Sequence, residues 1–324
     1  MAGKTSVGRN ILVATIGVAV FSGLLLFALA DEPLLRAQSP APDWQTAAGG
    51  KMSFDVASIK HNQCGSPSPD CSLDTNVSRV PGDFYSPNGG LLRVTNWNFM
   101  PFIVFAYKLN ANQYQSLTSQ LPNWAKTERF DIQARATSSD PTKDQMRLMM
   151  QSRLADRFKL VVHTDRRQLP VFALVLDRPG KMGPQLRSHS DNPPCAAADS
   201  PTPLATIVGG YPVVCGINIG GFVSGHRHLS ARNVNMDLVG SWLGSAGALS
   251  RPVLDQTGLK GNFDFTIEWT PDAPIKVNGE NVQLDELGPT FLEALKEQLG
   301  LKLEPQTSPV DVLVIDHVEQ PSEN

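Results

Sequence analysis

The sequence predicts an α+β fold: two duplicated β-α-β-α-β-β halves with mixed or antiparallel sheets, preceded by an N-terminal hydrophobic helix. Three observations carry this expectation. An uncharged run lies near the N-terminus, four sequence blocks recur in the same order, and each half has an amphipathic helix followed at once by alternating, strand-like residues.

The uncharged run extends from Ile11 to Ala30, behind Lys4 and Arg9. At about 1.5 Å per residue it reaches across a hydrocarbon core of about 30 Å. The basic flank favours a cytoplasmic N-terminus. Ala28-Leu29-Ala30, before Asp31, has the small-x-small form of a cleavage site. Residues 1–30 therefore read as a signal peptide or a membrane anchor, and either exports the rest of the chain. No Cys lies at the cleavage point and no Arg-Arg pair precedes it, which disfavours a lipoprotein and twin-arginine export. Residues 31–50, with Pro33, Pro40, Pro42, Gly49 and Gly50, read as a linker. The expected location is periplasmic or extracellular, with membrane contact only through residues 11–30 if they stay attached.

The 324 residues are 41% hydrophobic and 18% charged, enough apolar material for a sizeable core and too little charge for a disordered chain. The net charge is −3, and the part beyond residue 30 is more acidic still because Lys4 and Arg9 precede it. No nucleic-acid partner is expected, and adhesion to anionic lipid is disfavoured. Cys64, Cys71, Cys195 and Cys215 form an even set that allows three pairings. Local disulfides, Cys64 with Cys71 and Cys195 with Cys215, are expected, since each would tie down a loop that cannot pack itself.

Phe54 to Lys60 alternates and reads as a strand, and about 61–90 is turn-rich. The first α+β repeat, with that strand, covers 51–178 and the second 223–320. Between them 179–222, rich in Gly, Pro and Ser, reads as an irregular insertion. The repeated blocks begin with Asn96-Trp97-Asn98-Phe99 and Asn233-Val234-Asn235-Met236, which lead into apolar stretches at Phe102–Tyr107 and Leu238–Leu243. Phe130-Asp131-Ile132-Gln133-Ala134 and Phe263-Asp264-Phe265-Thr266-Ile267 come next. Arg153–Leu160 then matches Ala294–Leu301, and Pro170–Asp177 matches Pro309–Asp316. Met146, Met149, Met150, Leu154 and Phe158 recur at helical spacing, as do Phe291, Leu292, Leu295 and Leu299, and both stripes read as core. Lys159–His163 and Val171–Leu176, joined by the polar Thr164–Gln168, read as a β-hairpin. Leu301–Glu304 and Val310–Ile315 read the same way.

Phe54–Lys60, Arg129–Ile132, Leu154–Leu160, Leu169–Leu174, Arg251–Thr266 and Val312–Glu319 resemble a soil-associated family of exported proteins of unknown function, expanded in Acidobacteria. The resemblance covers about 52–320. It implies an exported, paralogue-rich protein, and related domains look fused behind membrane zinc peptidases of the β-lactam-sensor type. No H-E-x-x-H occurs here, so that chemistry is not carried over. The amphipathic helix, Leu-Gly-Leu turn and Val-Leu-Val-Ile strand are also similar to the short N-terminal domain of secretins and TonB-dependent receptors. That similarity implies protein–protein contact in the envelope.

No constellation passes a spacing test for catalysis, and no cofactor is expected. His226 and His228 are weak metal candidates, because i and i+2 share a strand face, but no Asp, Glu or Cys stands near them in sequence. Gly244-Ser245-Ala246-Gly247 is not a nucleophile elbow. Gly209-Gly210 and Gly220-Gly221 match no phosphate loop and read as turns, as does Asp255–Gly261. Asp131 and Asp264 are equivalent in the repeat, and a strand-edge or capping role outweighs a catalytic dyad. Trp97, Trp124, Trp242 and Trp269 are expected in the core rather than stacked on a sugar or peptide. The expected function is non-catalytic, an envelope binding or interaction module for an unknown partner or ligand. An exported hydrolase with a scattered site and a sensor ectodomain are the alternatives.

Overall fold

The computed structural model describes residues 43–64, 71–79, 81–85, 88–196, 206–223, 225–272, 276–277, 280–281 and 288–321. The run at 11–30, its cleavage site and most of the 31–50 linker lie outside them. Among the described residues no helix is long and apolar enough to cross a membrane.

The first half contains α1 (Asp43–Ala47), β1 (Val56–Asn62), β2 (Asp74–Thr75), β3 (Leu91–Trp97), α2 (Phe99–Ala106), α3 (Ala111–Tyr114), α4 (Asn123–Thr127), β4 (Arg129–Arg135), α5 (Lys143–Phe158) and β5 (Val161–Leu176). The rest contains β6 (Leu186–Ser188), β7 (Ile207–Val208), β8 (Tyr211–Pro212), β9 (Asn218–Val223), β10 (His226–Val234), α6 (Met236–Ala246), β11 (Val253–Asp255), β12 (Phe263–Trp269), β13 (Lys276–Val277), β14 (Glu280–Asn281), α7 (Phe291–Ala294) and β15 (Leu301–His317). A π-helical turn, Leu295–Leu299, continues α7.

Two antiparallel four-stranded sheets have corresponding orders, β1-β4-β3-β2 and β6-β12-β10-β9. The repeated Asn-x-Asn and Phe-Asp blocks explain their shared detail. Asn96 and Asn233 have φ of 62° and 56°, a left-handed conformation that Asn tolerates better than most residues. Each sits where β3 or β10 has one residue more than its partner strand, a β-bulge. The carboxylate opposite accepts the bulge N–H: Asn96 N donates to Asp131 at 2.8 Å, and Asn233 N to Asp264 at 3.1 Å. Asn98 and Asn235 then occupy the N-caps of α2 and α6. Phe130 and Phe263, beside the two aspartates, are buried.

α5 and α7 both start with a capping box, Thr142 with Gln145 and Thr290 with Glu293. Both helical runs stop at a left-handed residue, Lys159 and Gly300. α5 has about two more turns at its N-terminal end. Met146, Met149, Met150, Leu154 and Phe158 are buried as expected. Leu292 departs from its predicted stripe: it is 60% exposed, whereas Phe291, Leu295 and Leu299 point inward.

The two expected hairpins do not form. Residues 161–176 and 301–317 are each one continuous strand, and the two strands pair antiparallel along almost their full length. Thr164–Gln168 contains no Gly or Asn to take the positive φ of a tight hairpin turn, so the strand runs straight on. The far end of each strand consequently crosses into the other half. Leu174, from β5, is buried in the core with Phe265, Trp242 and Leu295. Leu313, its counterpart in β15, is buried with Phe130, Phe158 and Leu154.

The free edges of this pair are covered differently. β11 runs parallel to β5, and Gln256 N donates to Leu174 O at 2.9 Å. At the equivalent place on β15, the Gln120 side chain acts in place of a strand. Its amide donates to Leu313 O at 3.2 Å and accepts from Ile315 N at 2.9 Å.

Two further expectations are corrected. The 179–222 segment supplies β6 and β9, both edge strands of the second sheet, as well as the β7–β8 hairpin. Gly220 and Gly221 lie within β9, paired with Leu229 and His228, rather than in a turn. Gly209 and Gly210 do form a turn, between β7 and β8.

Candidate functional site

A cleft of about 650 Å³ lies between the two halves. Trp44, Asp83, Tyr107, Lys108 and Gln113 face it from the first half, and Asn235, Asp237 and Asn262 from the second. Amides, carboxylates and an ammonium beside three aromatic rings, Trp44, Phe84 and Tyr107, make it a polar site with apolar surfaces.

The extra turns of α5 stand behind the first wall and support the 81–83 loop that lines it. Lys143 and Arg147 are buried there because their charged ends meet the 81–83 loop. Lys143 Nζ donates to Gly82 O at 2.6 Å. Arg147 donates to Pro81 O at 2.9 Å and Gly82 O at 3.1 Å, and pairs with Asp144 and with Asp83 at 3.3 Å. Lys108, left-handed after α2 with φ of 54°, reaches Asp83 at 2.7 Å and Asp144 at 3.1 Å. Its ammonium also stands 5.6 Å from the Trp44 ring centre. Gly82 abuts the carbonyl of Gly216, so a β-carbon there would collide with backbone. This contact joins the first wall to the Cys195–Cys215 side of the second.

The electrostatics of the two cleft carboxylates diverge. Burial works to raise the pKa of Asp83, but Lys108 and Arg147 together outweigh it and hold the group below the usual range. Burial, with the neighbouring Asp255, raises that of Asp237. Desolvation pushes Lys143 down to about 7, reinforced by Arg147, and pushes Tyr107 up to about 12.

The cysteines pair locally, Cys64 with Cys71 and Cys195 with Cys215, as fits an oxidising environment. His226 and His228 share β10, but His228 lies against Thr266 Oγ1 at 3.1 Å and His226 near Thr270 Oγ1 at 3.3 Å. Desolvation lowers the pKa of His228. The metal-compatible group among the described residues lies elsewhere, at His189, Cys195 and Cys215.

Asp131 and Asp264 stand opposite separate bulges in separate sheets. Trp97, Trp242 and Trp269 are buried, and Trp124 packs flat on Phe158 with ring centres 6.2 Å apart. Ser245 lies in α6 and Asp255–Gly261 forms the turn before β12. Trp44, assigned to the linker by its Ala/Pro/Gly surroundings, is the tryptophan that faces the cleft. His189 carried one overlooked signal, its position six residues before Cys195, just outside the loop that the Cys195–Cys215 disulfide closes.

Fold and cleft together define a mixed α+β protein with a polar cavity between two similar sheet-and-helix units. Residues 101–318 match the family described as "Protein of unknown function (DUF3738)", and the chain belongs to that family. No curated protein and no solved structure matches it.

Proposed function

We propose that the chain is an exported, non-catalytic binding module of the cell envelope that takes a saccharide-class ligand in the cleft. The carrying observation is that Trp44 and Tyr107 share this cavity with Asn110, Gln113, Asn235, Asn262 and Asp237. Aromatic faces accommodate the C–H surface of a sugar ring, and amides and carboxylates bind its hydroxyls. The similar bulges, caps and crossed strands support an origin by duplication of one unit, with the ligand site where the copies meet. The paired cysteines and the Ile11–Ala30 run support periplasmic or extracellular placement, by a signal peptide or an inner-membrane anchor.

The test is calorimetric titration of the full chain with envelope-derived oligosaccharides, alongside Trp44→Ala and Asn235→Ala variants. Saturable binding that weakens in both variants supports the reading. Binding unchanged in both, or none across the panel, rejects it.

A hydrolase is the second reading, favoured by the opposed shifts of Asp83 and Asp237, since carboxylates pushed apart in pKa suit acid and base roles. Product release abolished by Asp237→Asn, with binding retained, would select it.

A further inference from the structure

Outside the cleft, His189, Cys195 and Cys215 place a ring nitrogen and two sulfurs within 4.8 Å of one another. We propose that these residues form a redox-gated zinc site. Closed as a disulfide, the pair excludes the metal; reduced, its two thiolates and the His189 imidazole bind a zinc ion.

The histidine is already oriented for this. His189 Nδ1 lies 2.6 Å from Asp264 Oδ1, a contact in which the ring N–H donates a hydrogen bond to the carboxylate and Nε2 faces Cys195. Nε2 stands 4.0 Å from Cys195 Sγ. Thiolate and imidazole ligands of a tetrahedral zinc lie roughly 3.5–3.8 Å apart, so Cys195 and His189 are already close to that spacing, and the two sulfurs must separate once reduced. A carboxylate holding the far nitrogen of a metal-binding histidine fixes its tautomer and raises its basicity. Asp264 is itself held at 1% exposure by Arg187 at 3.3 Å, Arg232 at 3.8 Å and the Asn233 N–H. Asp191 offers a fourth ligand: its carboxylate is 3.3 Å from Nε2 and 94% exposed. Among the described residues Cys64–Cys71 has no such grouping, and it supplies an internal control.

The gating step balances with a dithiol reductant. The reductant gives two electrons and two protons and closes into its own disulfide, while the Cys195–Cys215 bond opens to two thiols. Zinc then replaces both thiol protons, which pass to solvent.

The test uses the full chain reduced with a phosphine and titrated with cobalt(II) as a spectroscopic stand-in for zinc. The expected result is one equivalent of tetrahedral cobalt with thiolate charge-transfer bands, displaced by zinc and absent before reduction. The signal should survive Cys64→Ser with Cys71→Ser and disappear in Cys195→Ser with Cys215→Ser. It should weaken in His189→Ala. No bands after reduction, or bands that outlast loss of Cys195 and Cys215, would overturn the proposal. A second measurement needs no variant. Zinc should slow alkylation of Cys195 and Cys215 in the reduced protein, read by peptide mass, while Cys64 and Cys71 react as before. Equal protection of all four, or of none, would also overturn it.

Discussion

Asp131 in β4 and Asp264 in β12 each stand opposite a bulge and accept the N–H of a left-handed Asn, yet their surroundings differ. Asp131 takes its second donor from the Asn62 amide at 2.7 Å. Asp264 is enclosed by Arg187, Arg232 and His189, beside a disulfide. One motif has thus become a carboxylate held by neutral amide donors in one half and the hub of a buried ionic cluster in the other. The difference arises at the edge strands: β6 and the residues after it bring Arg187 and His189 to Asp264, whereas the corresponding strand β1 brings Asp131 the Asn62 amide. A repeated backbone feature can therefore be structural in one copy and available for chemistry in the other.

Removing each aspartate should expose this contrast most strongly. Asp264→Ala leaves two arginines and a histidine without their anion and should cost about 3–5 kcal/mol, whereas Asp131→Ala, which removes neutral donors' partner, should cost about 1–3 kcal/mol. Urea denaturation of the two variants measures the gap. Equal losses would show that the ionic cluster adds nothing.

The crossed strands come next. Leu313→Ala should destabilise by about 2–4 kcal/mol. Hydrogen exchange should accelerate around Phe130 and Phe158, in the half from which Leu313 is remote in sequence. Acceleration confined to the second core would contradict the crossing.

The extra turns of α5 should produce a pH effect with no parallel in α7. The Lys143 pKa is depressed to about 7 from an ordinary 10.5. Between these values the unfolded chain holds the proton more tightly, so stability rises with pH through this window. Below pH 7 both states are protonated and the burial penalty is fully present. The rise should amount to about 2 kcal/mol between pH 7 and 9 and flatten in Lys143→Met. Denaturant midpoints across that range read it directly, and an unaltered slope in the variant would assign the rise to another group.

Gln120→Ala probes how differently the two strand edges are covered. It removes two hydrogen bonds to β15 and should cost about 1 kcal/mol, less than disrupting β11 with a proline at Leu254. Thermal midpoints of the two variants test this order.

Much of the fold is legible in the sequence because its causes are local. The Asn-x-Asn and Phe-Asp blocks encode the bulge, its carboxylate and the following N-cap within a few residues. The Met/Leu/Phe stripe of α5 follows from helical period, and each local disulfide from a short loop. The hairpin reading of 159–176 failed because a straight strand and a hairpin share the same alternation. Only the partner decides between them, and the partner lies about 140 residues away.

The site was less legible still. Cleft-facing groups such as Trp44, Asp83 and Asp237 follow no common spacing, and His189 meets Asp264 across a sheet. The order of residues was enough for the α+β class, the Met/Leu/Phe stripe of α5 and the neighbouring cysteine pairs, since those interactions close over short stretches of chain. Three features came from tertiary packing: the crossing of β5 and β15, the cleft where the halves meet and the company kept by Asp264. Each of these depends on which distant residues exclude water from a given charge or edge, and no periodicity along the chain records that.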